Sequence, residues 1–316
     1  MVKIGLLGFG HLGKIHFKCL KSTSFGLIGI YDPILQEDSY EGYKIYKDED
    51  QLIADSDACI VASTTTTHYD LATKILKAQK HCFVEKPMCS TLDQAHQLYT
   101  MAQQYPQLIT QVGFVERYNP AYKYISADIV DPKFIEVHRL AMFNNRGNDV
   151  SVVYDLMIHD LDLLLSMKSS RVKEVKATGV KIVTDSLDIC NARIEFEDGS
   201  VANVTASRMS MKVMRKFRIF QGDRYLSMDL DKKESQVIKL LDHASESSME
   251  MPIRGEIKHL VIKSSGILKG NAIVDEQTDF YNSIINNQQP SVNFESAYNT
   301  TLLAHQIETL AMTSIS

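Results

Sequence analysis

Three groups of residues in this chain have types and spacings that could do chemistry. The first is Gly8-Phe9-Gly10-His11-Leu12-Gly13, a Gly-x-Gly-x-x-Gly run directly after an apolar segment and at the start of a helix-like one. In that setting the first glycine permits a tight turn and the second lets the backbone approach a pyrophosphate. The third allows close helix packing, and the helix N-terminus faces the anion. The next apolar run ends at Tyr31-Asp32-Pro33. A carboxylate there can accept hydrogen bonds from both hydroxyls of an adenosine ribose and would repel a 2′-phosphate. No arginine follows to offset it, so the pattern predicts NAD, with NADP disfavoured. The plainer alternative is that Asp32 only opens a turn before Pro33. Ser63 to His68, after a further apolar run, offers small side chains, Ser63 and Thr64 among them, to the same crevice. His68 reads equally as a helix-start residue.

The second group is Glu85-Lys86-Pro87 at the end of another short apolar run. Ligands of open α/β sheets bind outside the carboxyl ends of the strands, which directs Lys86 toward the cofactor. Desolvation and a positive nicotinamide ring would lower the lysine from its ordinary value near 10.4 and help it act on a hydroxyl. A lone lysine is otherwise an ordinary solvated surface charge.

The third group lies in Val152 to Met167, where a helix would put Asp155, His159, Asp162 and Ser166 on one face, with leucine, isoleucine and methionine over most of the rest. Burying bare carboxylates is costly, so the stripe must face a cavity, a partner or satisfied polar groups. A cavity holding a polar substrate is the economical reading, with His159 moving a proton to or from an alcohol, since an ordinary histidine titrates near neutrality. The alternatives are a capping role for Asp155, a buried hydrogen-bond network, and a metal site of His159 with two aspartates. The last has no second histidine at ligand spacing, and no metal is expected.

These groups need elements to position them. From Val2 to Gly113, short apolar runs (Val2–Leu7, Gly26–Tyr31, Ala58–Ala62, Cys82–Val84, Leu108–Val112) alternate with longer segments of helical spacing such as Leu71–Gln79 and Asp93–Gln103. Short runs without polar alternation suit strands buried on both faces of a parallel sheet, so this is a βαβ series. After Tyr118 the apolar helix is followed by β-like stretches at Val172–Val183, Asp188–Phe196, Val201–Arg208, Arg215–Phe220 and Tyr225–Leu230. Glu197–Ser200 and Gln221–Arg224 suit hairpin connections. Val274–Asn286 and Glu295–Met312 read as closing helices, and Ser245–Gly270 has no clear pattern. The expected fold is α/β: a Rossmann dinucleotide-binding domain over 1–118, then an α+β domain over 119–316 on a mostly antiparallel sheet, for substrate and oligomerisation.

The 316 residues, 44% hydrophobic, can fill two domains. With 34 Lys plus Arg against 39 Asp plus Glu, the net charge of −5 gives no general pull toward nucleic acid or anionic membrane. A small-molecule partner is expected instead. Five scattered cysteines, with no Cys-x-x-Cys, signal neither a disulfide framework nor a thiolate zinc site. No stretch has the length of a signal or membrane segment, so the expected location is the cytoplasm.

Taken in order, Gly8-x-Gly10-x-x-Gly13, Glu85-Lys86-Pro87 and Asp155-x-x-x-His159 resemble the Gfo/Idh/MocA family of NAD(P)-dependent sugar and cyclitol oxidoreductases, over essentially the whole chain. The resemblance implies that Lys86 and His159 bind the reacting hydroxyl and move its proton, with Asp155 supporting them. It also implies cofactor contacts from Gly8, Phe9, Gly10, His11, Leu12, Gly13, Asp32, Ser63, Thr64, His68, Glu85 and Lys86, and a homodimer or homotetramer. One departure is Ser63 to His68, where many members carry a proline. Gly113 to Pro120 and Arg146 to Asp160 look most like members that oxidise the C3 hydroxyl of UDP-N-acetylglucosamine, whose product a partner aminotransferase aminates toward lipid A. Arg117 with Tyr118, and Arg146, are then expected at the substrate beside Lys86, Asp155 and His159. Arg139 and Arg208 are further guanidinium forks suited to diphosphate or uronate oxygens. Competing readings are a dehydrogenase of a free sugar, inositol or UDP-N-acetylglucosaminuronate, and a nonenzymatic dinucleotide-binding sensor or regulator.

Overall fold

A computed structural model describes residues 1–144, 150–245, 248–253 and 255–315. The chain divides into two compact units, Met1–Val115 with Asn271–Leu302, and Glu116–Gly270 with Leu303–Ser316.

In the first unit, β1 (Lys3–Leu7), β2 (Gly26–Tyr31), β3 (Ser39–Tyr40), β4 (Tyr43–Tyr46), β5 (Ala58–Val61), β6 (His81–Glu85) and β7 (Thr110–Gly113) form one sheet in the order β3-β4-β2-β1-β5-β6-β7. All neighbours are parallel except β3 with β4. Every residue of β5 is buried, because helices cover both faces and leave no solvent side for polar residues. The crossovers are α1 (His11–Leu20), α2 (Glu49–Asp55), α3 (Thr65–Lys77) and α4 (Leu92–Gln104). Side chains start two of them: Asp48 accepts from the Asp50 N–H, and Thr91 from the Gln94 N–H. Gly10 begins α1 with no side-chain cap.

The short β3–β4 pair was not anticipated. It turns on Glu41 and Gly42, both at positive φ (49° and 85°), and strands of two and four residues carry too little pattern to read. The linear division at 118/119 also differs from the fold. A later helix, α7 (Ala272–Asn286), belongs to the first unit, where Phe280 is fully buried and its ring centroid lies 5.8 Å from that of Phe83. Burying a ring of that size contributes roughly 2–3 kcal/mol, which gives the chain reason to return.

The second unit holds β8 (Phe134–Leu140), β9 (Val172–Val180), β10 (Ile189–Phe196), β11 (Val201–Ser207), β12 (Met214–Gln221), β13 (Arg224–Asp229), β14 (Glu234–Leu241), β15 (Met249–Ile253) and β16 (Glu256–Ser264). Their order is β15-β16-β14-β13-β12-β8-β11-β10-β9, antiparallel throughout except for β8 beside β11. The mostly antiparallel sheet is as expected, and both anticipated hairpin turns join adjacent strands. Burial alternates along β10 and β12, so one face packs and the other meets water. β9 stops at Val180 because the N–H groups of Ile182, Val183 and Thr184 all turn to the Asp188 carboxylate. The stretch with no clear pattern holds β15 and β16, with Pro252 in the outermost strand, where a missing N–H does little harm.

The helix expected over Val152–Met167 has two parts. Val153–Met157 is π-helical and α6 (Ile158–Ser166) follows, after α5 (Pro120–Ile125) earlier in the unit. A last helix, α8 (Phe294–Thr313), carries the chain from the first unit's residues into the second's.

Candidate functional site

The glycine run sits between β1 and α1 as the spacing implied. Gly8 has φ +95°, and a Cβ there would lie 2.4 Å from the Ser63 backbone nitrogen. A Cβ on Gly13 would lie 2.2 Å from the Gly8 carbonyl oxygen. Both positions are therefore closed to any side chain. Gly10 is different: nothing lies within 4 Å of its absent Cβ, and the first turn of α1 has no side-chain cap. Open space in front of an uncapped helix N-terminus is what a pyrophosphate needs. His11 and Thr64 are exposed there, with Leu12 and Ser63 half-buried.

Asp32 lies at the end of β2, half-buried. Its Oδ2 accepts from the Phe9 N–H at 2.7 Å and its Oδ1 from the Ile34 N–H at 3.0 Å, so the carboxylate also ties the glycine loop to β2. The Phe9 ring is a core ring, edge-on to Phe17 and Tyr40. Any part Phe9 plays toward a cofactor is thus one of the backbone. His68 is buried, with Nδ1 3.0 Å from the Pro87 carbonyl oxygen and Nε2 3.2 Å from that of Ser63. Burial pushes its imidazole below the usual range. The ring links the 63–68 turn to the residue after Lys86.

Lys86 follows β6 directly, half-buried, and its backbone N–H donates to Glu85 Oε2 at 3.0 Å. His16, which the sequence reading passed over, and Gly113, which it named only as a segment end and for the resemblance, meet the same carboxylate. His16 Nε2 lies 2.5 Å from Glu85 Oε1, and Gly113, paired with Glu85 across β6 and β7, leaves room for the carboxyl group. The available signal was that His16 lies three residues beyond Gly13, on the buried side of α1.

In the second unit the polar stripe divides. Asp155 and His159 are half-buried, whereas Asp162 is fully buried and accepts from Arg117 Nε at 2.7 Å and Nη2 at 3.1 Å. Ser166 Oγ donates to the Leu163 carbonyl and meets the Tyr122 hydroxyl. The C-terminal half of the stripe is therefore a satisfied polar network. The intervening π turn also means that Asp155 does not stand to His159 as two positions of a uniform α-helix would. Burial pushes the Asp162 carboxyl up, and the Arg117 guanidinium pulls against that shift.

The arginines expected to grip an anion are largely occupied. Arg117 gives two donors to Asp162. Arg139 is buried, with both oxygens of Asp160 and Glu116 Oε1 as partners. Arg208 is buried, donates to the Val150 carbonyl and lies near Asp188. Buried carboxylates need paired cations, and that need claims guanidiniums whose sequence positions suggested ligand contacts. Tyr118 is buried, and Arg146 lies outside the described residues. Among the described residues no cluster of His, Cys, Asp and Glu side chains could hold a metal ion, and no helix is long and apolar enough to cross a membrane.

A Rossmann unit with this glycine turn, followed by an open antiparallel sheet unit, defines a dinucleotide-dependent oxidoreductase. The chain belongs to the Gfo/Idh/MocA oxidoreductase family: residues 2–114 match its NAD-binding Rossmann fold and residues 125–222 its C-terminal domain. NAD is the cofactor of that fold. The chain is similar to UDP-N-acetylglucosamine 3-dehydrogenase of Acidithiobacillus ferrooxidans, at 35% identity over 233 residues, 72% of this chain and 74% of the relative. A solved structure of UDP-N-acetylglucosamine 3-dehydrogenase from that organism superposes with a TM-score of 0.88, covering 100% of this chain and 99% of the other at 29% identity. Myo-inositol 2-dehydrogenase of Thermotoga maritima is 25% identical over 233 residues, 66% of this chain and 70% of the relative. Scyllo-inositol dehydrogenase from Lactobacillus casei, solved with NAD(H) and scyllo-inositol, shares the fold at 21% identity, with a TM-score of 0.76 over 99% of this chain and 97% of the other.

Proposed function

We propose that this chain oxidises a secondary hydroxyl of a nucleotide sugar with NAD, acting at C3 of UDP-N-acetylglucosamine. The observation that carries this reading is the similarity to the Acidithiobacillus ferrooxidans 3-dehydrogenase, in sequence over 72% of the chain and in fold over all of it. When bound, NAD supplies the hydride acceptor. The chain's own work is to hold the dinucleotide at Gly10 and the first turn of α1, with Asp32 selecting the unphosphorylated ribose and so favouring NAD over NADP. Lys86 binds the reacting hydroxyl, His159 takes part in moving its proton, and Asp155 supports them electrostatically. Arg117, which Asp162 already holds, is the guanidinium this reading assigns to the diphosphate. The reading includes a cytoplasmic homodimer or homotetramer and an aminotransferase that consumes the ketone.

A dehydrogenase of inositol is the second reading, favoured by the Thermotoga maritima relative. NADH formation separates the two, from UDP-N-acetylglucosamine beside UDP-N-acetylglucosaminuronate, myo-inositol and glucose, with glutamate and an aminotransferase added to withdraw the ketone. Selective turnover of UDP-N-acetylglucosamine, with the oxidised carbon located at C3 by NMR, is the expected result. Turnover of another substrate discards the C3 assignment and keeps Lys86 and His159. Full activity in both Lys86→Met and His159→Ala would remove the mechanism, and silence on every substrate would favour the sensor.

A further inference from the structure

At the buried end of β6, four residues from four separate elements meet. Glu85 turns one carboxylate oxygen to the Lys86 N–H and the other to His16 Nε2, at 3.0 and 2.5 Å. A Cβ on Gly113 would lie 2.7 to 2.8 Å from Oε2, Cδ and Oε1 of that carboxylate, so the group rests on a position that only glycine leaves open. The other side of the His16 ring meets Gln277 of α7, 261 residues away in sequence, whose Nε2 lies 2.9 Å from His16 Nδ1 and 3.3 Å from the His16 carbonyl oxygen. His16 and Gln277 are both fully buried.

With the Gln277 amide placed so that its nitrogen faces His16, and its buried Oε1 left without a hydrogen-bond partner, the contacts select one arrangement of protons. A carbonyl oxygen only accepts, so the amide group facing the His16 carbonyl is the –NH2 of Gln277. That same –NH2 faces Nδ1, which must then accept, leaving the imidazole proton on Nε2, where it points at Glu85. Reversing the amide would set its oxygen against the His16 carbonyl oxygen. An imidazolium would set two N–H groups against each other at Nδ1.

We infer that His16 and Gln277 are positioning residues for Lys86: Gln277 holds His16 as the Nε2–H tautomer, and His16 holds the Glu85 carboxylate that in turn fixes the Lys86 backbone. On the far side His68 meets the Pro87 carbonyl oxygen, so the chain around Lys86 is tied on both flanks. The inference rests on the proposed role of Lys86 only for its kinetic consequence, because the placement itself is readable without substrate.

The test uses the full chain in two arms. In the first, 15N-labelled histidine reports the His16 ring at pH 7.5, its signals assigned by their loss in His16→Gln. The expected pattern is a neutral ring with Nε2 protonated, changed in Gln277→Leu. A ring protonated on Nδ1, or on both nitrogens, overturns the inference. In the second arm, acetic anhydride labelling read by mass spectrometry gives the rate at Lys86 relative to the other lysines. Gln277→Leu and Gly113→Ala are expected to change that relative rate severalfold and to lower kcat by about tenfold to a hundredfold, the usual consequence of misplacing a reacting group by about 1 Å. Kd for NAD, held at the glycine turn, stays within about twofold, a split that general loosening of the unit would not give. His16→Gln, which can return an N–H to Glu85, is expected to recover part of what His16→Ala loses. Unchanged labelling and kcat in folded Gln277→Leu would overturn the inference. A parent chain silent on every substrate would remove the role given to Lys86 and leave the tautomer and labelling results to decide the positioning.

Discussion

The three glycines of the first turn invite one test in depth, because the structure gives each a different reason to be glycine. At Gly13 an added Cβ meets the Gly8 carbonyl oxygen at 2.2 Å, a backbone atom that cannot swing away. Overpacking of that kind costs about 1–3 kcal/mol, and at roughly 2–4 °C per kcal/mol for a unit of this size Gly13→Ala should lower the apo unfolding midpoint by several degrees. Gly10 has φ −68° and ψ −158°, extended backbone open to any residue, with nothing within 4 Å of the added carbon. Alanine there restricts the unfolded chain, worth about 0.4–1 kcal/mol, and is a poorer helix start by a few tenths. The apo protein should therefore keep its stability to within about 1 kcal/mol. The same methyl would stand where the pyrophosphate approaches, and a clash of about 1–3 kcal/mol corresponds to a 5- to 150-fold loss of NAD affinity at 1.4 kcal/mol per decade. Differential scanning calorimetry of the apo protein and an NAD titration by fluorescence measure the two quantities separately. Gly10→Ala binding NAD as tightly as the parent would refute the argument, as would an apo midpoint lowered as far as in Gly13→Ala.

Three further outcomes follow from other contacts. Asp162→Ala leaves the Arg117 guanidinium, with a side chain only 11% exposed, without its partner, so urea unfolding should show a loss of about 3–5 kcal/mol; a loss under 1 kcal/mol would mean that water replaces the carboxylate. Asp32→Ser should weaken NAD binding and narrow the gap to NADP, read by parallel titrations, and an unchanged ratio would remove the ribose contact from Asp32. Burial lowers both His68 and His81, so below about pH 6.5 the unfolded chain takes up protons that the folded chain refuses. Stability contributed by these rings is present above that pH and falls as pH drops toward their folded values. Urea midpoints from pH 7.5 to 5.5 should decline, and less so in His81→Asn; equal slopes would exclude His81 as a cause.

The parallel sheet was legible because fully buried strands carry an unbroken apolar signature, and the glycine turn because its backbone demands are severe. The hairpins of the second sheet were legible through Glu197–Ser200 and Gln221–Arg224. The strand Phe134–Leu140 alternates buried and half-buried residues in Phe-Ile-Glu-Val-His-Arg-Leu, a period of two that was available and went unread. Partners distant in the chain were not legible. Nothing local to Arg139 says that it closes on Asp160 and Glu116, and nothing near Asp162 names Arg117. The sequence left open whether those arginines and the lower half of the helix stripe face a ligand or a buried network, because both draw on the same residue types; the partners in the structure are those of a network. The π turn at Val153–Met157 has no compositional mark, so a uniform helix was the natural expectation there.

The membership of Asn271–Leu302 in the first unit bears on how the molecule comes into being on the ribosome. A polypeptide emerges from its N-terminus, and domains ordinarily fold as they are completed. Here the parallel sheet can be paired by the time Gly113 has been made, yet Phe280 and Gln277, which finish its packing, arrive only after the entire nine-stranded sheet has been synthesised. The early sheet must wait with part of its apolar surface uncovered while the second unit forms, and that unit in turn waits for Leu303 onward. Neither half is thus completed by one uninterrupted stretch of translation, and a stop codon placed near residue 118 would release the parallel sheet without the helix that packs Phe280 against Phe83.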